Sequence, residues 1–329
     1  MSSMKFFQGI SRFLAAYTSP VIVGVAAITF VYPDIFRWVK GDVQTLVLGI
    51  IMLTMGMTLT TDDFKILAKR PFDIFIGAVA QYTLMPLIAF IMVKVMNLPA
   101  GIAAGLLLVG CCPGGVSSNI ITFLSRGDVA FSVGMTTAST LLAPVMTPLL
   151  MLYLAGDKIE INAIGMFKSI LIVTILPVAI GFIGNYFWGK KTAYQEFCKT
   201  MPGVSVIAFA CIVGGVITFN GKHFFDSGLL IFAAIFLHNA IGYVAGYTVG
   251  AAAKMSKAQK RTISIEVGMQ NAGLATNLAT VHFPNTPEAA LASAVSCVWH
   301  SISGTFLAGI FRIIDHCKDK KAAVKENKK

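Results

Sequence analysis

Cys111-Cys112-Pro113-Gly114-Gly115-Val116-Ser117-Ser118-Asn119 interrupts an apolar stretch that otherwise runs from residue 100 to residue 124. Proline removes a backbone donor and clashes with the preceding turn, and the two glycines lower the cost of unwinding. A second interruption, Gly268-Met269-Gln270-Asn271-Ala272-Gly273, falls inside the apolar stretch 263–280. The two regions share a short pattern: Gly115-Val-Ser-Ser-Asn119 and Gly273-Leu-Ala-Thr-Asn277 both read Gly, apolar, small, hydroxyl, Asn. One break alone reads as a proline kink packed against neighbours. Two in corresponding places read as a pair of discontinuous membrane helices, the sequence signature of a transporter site.

The surrounding chain fits that reading. Of its 329 residues 56% are hydrophobic and only 12% charged, where soluble domains carry about 25% charged residues. Mean hydropathy is +0.77. Apolar stretches recur at 15–32, 44–60, 72–95, 100–124, 129–154, 162–187, 201–219, 229–250, 263–280 and 289–313, lengths suited to a hydrocarbon core of about 30 Å. The expected fold is an all-α polytopic membrane protein of ten spans in two inverted five-span repeats. Residues 15–155 would form the first repeat and 156–313 the second, flanked by a cytoplasmic segment 1–14 and a basic cytoplasmic tail 314–329. Spans 3 and 8, just ahead of the broken spans, each carry a central polar pair, Gln81-Tyr82 and His238-Asn239.

The net charge of +11 forms no basic stripe with interleaved aromatics, so no nucleic-acid partner is expected. It is distributed as a topology signal. Of the 26 Lys and Arg, 20 lie in both tails and in the loops around Lys65–Arg70, Arg126, Lys190–Lys199 and Lys254–Arg261; the other face keeps six, Arg37, Lys40, Lys94, Lys158, Lys168 and Lys222. The basic face should be cytoplasmic, with both termini inside. Lys5 and Arg12 ahead of an apolar run resemble a signal peptide, but no small-residue cleavage site follows, so the segment is read as retained, with residues 4–14 as a short interfacial helix. The six cysteines (111, 112, 198, 211, 297, 317) show no metal-type spacing and no expected disulfide.

Chemistry concentrates at the breaks. Unwound backbone at membrane depth needs partners, supplied by protein, ions or water. The half-helix N-termini, with free N–H groups and positive dipole ends, suit an anion, while the opposing carbonyl ends suit a hard cation. Glu266 is the one carboxylate placed well inside a span, and an ionisable group there is a functional candidate. Gln81, Ser118, Asn119, Ser132, Thr136 and Gln270 are the oxygen-bearing residues expected around it. Ser132 and Thr136, four apart, share a helix face. Oxygen ligands with a single carboxylate fit a monovalent hard cation better than a transition metal. His238 and His300 read as satisfied core histidines before proton relays. Cys111 and Cys112 read as packing before soft-ligand binding. Gly242, Gly246 and Gly250 read as a close-packing face, either within one chain or between chains.

On Cys112-Pro-Gly-Gly-Val-Ser-Ser-Asn119 and Glu266-Val-Gly-Met-Gln-Asn-Ala-Gly273, with Trp299-His300 as lesser support, the whole chain resembles the bacterial ten-span members of the bile acid:sodium symporter family. The resemblance implies a panel of spans 1, 2, 6 and 7 and a core of spans 3–5 and 8–10, in which spans 4 and 9 cross. It implies one sodium site from Ser118, Asn119, Ser132, Thr136 and Glu266. A second would use Gln81, Glu266, the backbone of Val267 and Met269, and Gln270. The substrate would lie near Gly115, Val116, Asn271 and Ser301; related sequences often carry Thr and Asn where this chain has Val116 and Ser301.

The expected function is therefore sodium-coupled uptake of an organic anion, a bile acid or a small carboxylate such as pantoate or a 2-keto acid, by alternating access. No cofactor is expected beyond two coupling Na+ ions. A monomer in a bacterial inner membrane is expected, in keeping with the absence of any Asn-X-Ser/Thr sequon. The rival readings are a proton-coupled carrier, an arsenite-type exporter and a channel. An intramembrane enzyme is disfavoured, since the chain lacks HExxH, paired aspartates or a Ser–His couple at mid-bilayer.

Overall fold

The computed structural model describes residues 2–155 and 160–326, and within them the backbone is helical, with no strand beyond one isolated bridge. The helices are α1 (Ser2–Ala16), α2 (Thr18–Val31), α3 (Asp42–Thr58), α4 (Thr61–Lys69), α5 (Pro71–Val95), α6 (Ala100–Cys111), α7 (Ser118–Leu124) and α8 (Val129–Ala155). There follow α9 (Ala163–Ile170), α10 (Leu176–Trp188), α11 (Thr192–Cys198), α12 (Met201–Ala252), α13 (Lys257–Gly268), α14 (Ala272–His282) and α15 (Pro287–Glu326). Local chemistry marks several starts. Thr60 with Asp63, and Ser256 with Gln259, form reciprocal capping boxes ahead of α4 and α13, each satisfying two otherwise orphaned donors. Between α9 and α10 the helix widens into a π turn at Leu171–Ile175, next to Pro177, which supplies no N–H to the regular ladder.

Among the described residues, six helical segments are long and apolar enough to cross a bilayer singly, and two bent pairs raise the number to eight. The bends are 82° between Met4–Ala16 and Thr18–Val31, and 75° between Asp42–Thr58 and Thr61–Lys69. The outward surface is apolar. Along α8, Leu141, Val145, Leu149 and Leu152 repeat at helical spacing and are all exposed, a patch far too large for a monomer in water and natural against lipid chains. The chain is an all-α polytopic membrane protein.

Each of the ten apolar stretches read from the sequence contains helix. Three expectations differ in detail. The loop anticipated between 219 and 229 is absent, because α12 continues from Met201 to Ala252; no proline interrupts it, and at 1.5 Å per residue it exceeds one bilayer crossing and holds two span-length apolar segments. The tail expected to begin at 314 starts inside α15, which runs on to Glu326. The helix expected over residues 4–14 is longer, running from Ser2 to Ala16. The proposed boundary between halves at 155/156, Lys158 and the last three residues of the tail (327–329) fall at or outside the described residues.

The largest buried cluster joins α3, α6, α12, α14 and α15, with Leu48, Leu108, Ile212, Leu274 and Ala289 all inaccessible. Gly242, Gly246 and Gly250 lie on the face of α12 that packs against α13. A Cβ on Gly246 would sit 2.6 Å from the Ile263 carbonyl oxygen. This small-residue face packs within the chain, and it brings α13, the carrier of Glu266, against α12.

Candidate functional site

The two breaks meet. α6 ends at Cys111 and α13 at Gly268, and the extended segments beyond them pair antiparallel through Gly114 and Gln270. Gly115 donates its N–H to the Met269 carbonyl at 2.8 Å, and Asn271 donates its N–H to the Pro113 carbonyl at 2.8 Å. A Cβ at Gly115 would fall 2.8 Å from the Gln270 carbonyl oxygen, so glycine is what permits the approach.

The opened helix ends are satisfied from neighbouring helices. Thr147 donates to the Cys111 carbonyl at 2.8 Å and Gln81 to the Cys112 carbonyl at 3.2 Å. On the other side Asn239 donates to the Gly268 carbonyl at 2.8 Å, and the Gln270 side chain to the Val267 carbonyl at 2.6 Å. The polar pairs on α5 and α12 thus serve equivalent ends: Gln81 completes the end of α6 as Asn239 completes the end of α13. Each bond spares a carbonyl the penalty of being left unpaired at membrane depth.

Glu266 is 1% exposed and faces the crossover. Its Oε1 accepts from Ser118 Oγ at 2.5 Å and from Ser132 Oγ, and its Oε2 accepts from Thr136 Oγ1 at 2.8 Å. Ser132 Oγ also lies 2.8 Å from Asn119 Oδ1 and 3.2 Å from Thr122 Oγ1. Ser118, Asn119, Ser132, Thr136 and Glu266 are therefore one cluster. Among the described residues no Lys, Arg or His pairs with Glu266. Hydroxyl protons rotate, so this oxygen set can turn lone pairs toward a cation without moving backbone.

Gln81, Val267 and Gln270 form a second group nearby, with Gln81 Nε2 2.5 Å from Gln270 Oε1. The Met269 carbonyl, expected to contribute, accepts the Gly115 N–H and keeps one lone pair. Gly115, Val116, Asn271 and Ser301 line a cavity of about 410 Å³, within the range of small-molecule sites. The N-terminus of α14 is less open than anticipated, because Asn271 Oδ1 accepts the Leu274 N–H at 3.0 Å. Among the described residues its Nδ2 meets only the Met52 sulfur, at 4.0 Å.

Two residues passed over in the sequence belong here. Thr122 extends the hydroxyl cluster. Ser139 accepts the Gly114 N–H at 3.3 Å, and its carbonyl takes the Tyr82 hydroxyl at 2.6 Å. The seven-residue step from Ser132 to Ser139 was the available signal, two helical turns on one face of α8. His238 behaves as a core histidine, 3.1 Å from the Met85 carbonyl oxygen. Cys111 and Cys112 are buried and unpaired.

Away from the crossover, α13 and α15 are tied at the basic end. Arg261 forks onto Asp315 at 2.9 and 2.6 Å, donates to the Ser125 carbonyl at 2.9 Å, and lies over the Phe311 ring. Lys257 also binds Asp315.

Comparison with known proteins follows the same lines. The profile of the sodium bile acid symporter family matches residues 45–227. An uncharacterized sodium-dependent transporter, YocS, of Bacillus subtilis is 44% identical over 305 residues, covering 93% of this chain and 94% of that protein. A probable chloroplastic sodium/metabolite cotransporter, BASS1, of Arabidopsis thaliana is 45% identical over 281 residues, 85% of this chain and 69% of its own. The rice BASS1 is 40% identical over 291 residues, 88% and 71%. With a family profile matched over more than half its length and relatives of this identity along nearly all of it, the chain belongs to the sodium bile acid symporter family.

Proposed function

We propose that the protein is a sodium-coupled symporter that carries an organic anion across the membrane by alternating access, and that it is not an enzyme. The observation that carries this reading is the Glu266 cluster: a carboxylate 1% exposed, ringed by hydroxyl and amide oxygens, with no cationic side chain paired to it among the described residues. A buried charge without a partner is costly, and a small monovalent cation supplies the partner. One sodium ion would use Ser118, Asn119, Ser132, Thr136 and Glu266. A second would use Gln81, Gln270, Glu266 and the carbonyls of Val267 and Met269. The names of the relatives, sodium-dependent transporter and sodium/metabolite cotransporter, support the same reading.

In this reading there are ten spans in two inverted repeats, the six single helices and two bent pairs being joined by α6 with α7 and α13 with α14. The termini are cytoplasmic and the protein works as a monomer in a bacterial inner membrane. The substrate, a bile acid or a small carboxylate such as pantoate, docks near Gly115, Val116, Asn271 and Ser301. The cavity is also lined by Ala15, Asp63 and Met201, residues at span ends on the basic face, so this conformation is inward-facing. Two sodium ions with a monoanion carry one net charge, and the membrane potential adds about 2.3 kcal/mol per charge per 100 mV.

The test is uptake into proteoliposomes under an imposed sodium gradient, with a pH gradient as the alternative driving force. Uptake should need sodium, rise with an inside-negative potential and vanish in Glu266→Ala. Carboxylate uptake indifferent to sodium and to that substitution would overturn the proposal.

A further inference from the structure

We propose that Ser205, oriented by Thr54, is a specificity-determining residue of the cavity and reads a hydrogen-bond donor on the transported anion. The inference rests on the symport reading and concerns a wall of the site that reading leaves unassigned. Thr54 on α3 and Ser205 on α12 both line the 410 Å³ cavity, and their hydroxyl oxygens lie 2.5 Å apart. Their neighbours on that wall, Ile51, Met52, Met55 and Val206, are apolar.

Counting protons gives the pair a direction. Each hydroxyl has one proton and two lone pairs. Thr54 Oγ1 also reaches the carbonyl of Ile51, one helical turn back, at 2.7 Å. That carbonyl can only accept, and among the described residues Ser205 Oγ has no partner other than Thr54. The arrangement that uses both protons runs from Ser205 to Thr54 to the Ile51 carbonyl. Ser205 then presents lone pairs alone to the cavity. The α14 end offers the complement, since Asn271 Nδ2 is a buried donor with no oxygen partner among the described residues. One end of the site donates and the other accepts.

A ligand matching both ends carries an acceptor such as a carboxylate and, apart from it, a donor. A hydroxyl fits better than an ammonium group, because one neutral oxygen does not offset the desolvation of a full positive charge. The carboxylate of Asp63, also in the lining, is engaged: its Oδ2 takes the N–H and the hydroxyl of Thr60, both at 2.7 Å. Sites built to bond a substrate hydroxyl discriminate against its deoxy analogue, because the buried protein group is otherwise left unpaired.

The experiment uses the full chain in lipid nanodiscs with four probes: butyrate and 2-, 3- and 4-hydroxybutyrate. Dissociation constants are read from ligand-dependent thermal stabilisation, in sodium and in choline. In sodium at least one hydroxybutyrate should bind about tenfold tighter than butyrate. The preference should fall to about twofold or less in Ser205→Ala, survive in Ser205→Thr, which keeps the oxygen, and weaken in Thr54→Val, which frees the Ser205 proton. Stabilisation by sodium alone verifies that each variant is folded. Sodium-linked binding of all four acids with equal affinity overturns this inference and leaves the symport reading standing. A preference that persists in Ser205→Ala overturns it equally. Binding of none of the four acids overturns this inference and leaves the symport reading standing, whereas binding without sodium linkage overturns both.

Discussion

Ser118 Oγ lies 2.5 Å from Glu266 Oε1, although 148 residues separate the two along the chain. The contact joins the first turn of α7 to the end of α13, so the two broken helices share one carboxylate. Glu266→Gln keeps the shape and removes the charge. The variant should unfold at the same or a higher temperature than wild type in choline, because an uncompensated buried charge is gone. It should lose the stabilisation by sodium, which by linkage reaches about 2.7 kcal/mol at a hundred times the dissociation constant. Paired thermal melts in sodium and choline check both halves.

Asn239 completes the end of α13 through the Gly268 carbonyl at 2.8 Å. Asn239→Leu leaves that carbonyl buried and unpaired, at an expected cost of about 1–3 kcal/mol. The loss should appear in denaturant unfolding with or without sodium, because the bond holds the break itself. A variant that loses sodium affinity and keeps wild-type stability in choline would contradict this assignment.

Arg261 and Asp315, both nearly inaccessible, are not equivalent partners. Without Arg261, Asp315 keeps Lys257 and has Arg126 3.7 Å away. Among the described residues, without Asp315 the Arg261 guanidinium retains the carbonyls of Ser125 and Phe311 and the Phe311 ring. Asp315→Ala should therefore lower the melting temperature clearly more than Arg261→Ala does. Equal losses in a melting comparison would show that the cluster acts only as a pair.

Gly246→Ala drives a methyl group against the backbone of α13, 2.6 Å from the Ile263 carbonyl oxygen. Backbone cannot yield as a flexible side chain does, so a cost of about 1–3 kcal/mol is expected. Weaker sodium binding should accompany it, since α13 carries Glu266. Gly309→Ala meets nothing within 4 Å and serves as the control; its melting temperature should not fall.

Much of the site was legible because its signals are local. Proline 113 and the glycines beside it mark a break in any apolar helix, and a lone glutamate five residues after Arg261 stands out in a span that is otherwise apolar or neutral. Ser132 and Thr136 share a face by helical spacing alone, and both do bond Glu266. Ser139 was overlooked because a serine on α8 is most simply read as bonding its own helix, which it also does through the Thr136 carbonyl. Thr54 and Ser205 gave no local sign, each being one hydroxyl in an apolar helix.

Read by itself, the sequence determined the solvent, the positions of both breaks and the residue types gathered at them. Hydropathy, charge placement and proline chemistry act along the chain and need no partner. Tertiary structure alone decided which donor meets which carbonyl: Gln81 with Cys112, Asn239 with Gly268, Gly115 with Met269. It also decided that α12 runs unbroken, that its glycines are spent on α13, and that Asn271 turns one oxygen back onto its own helix. These pairings depend on packing between segments far apart in sequence, and any of several equally polar residues could have filled each role.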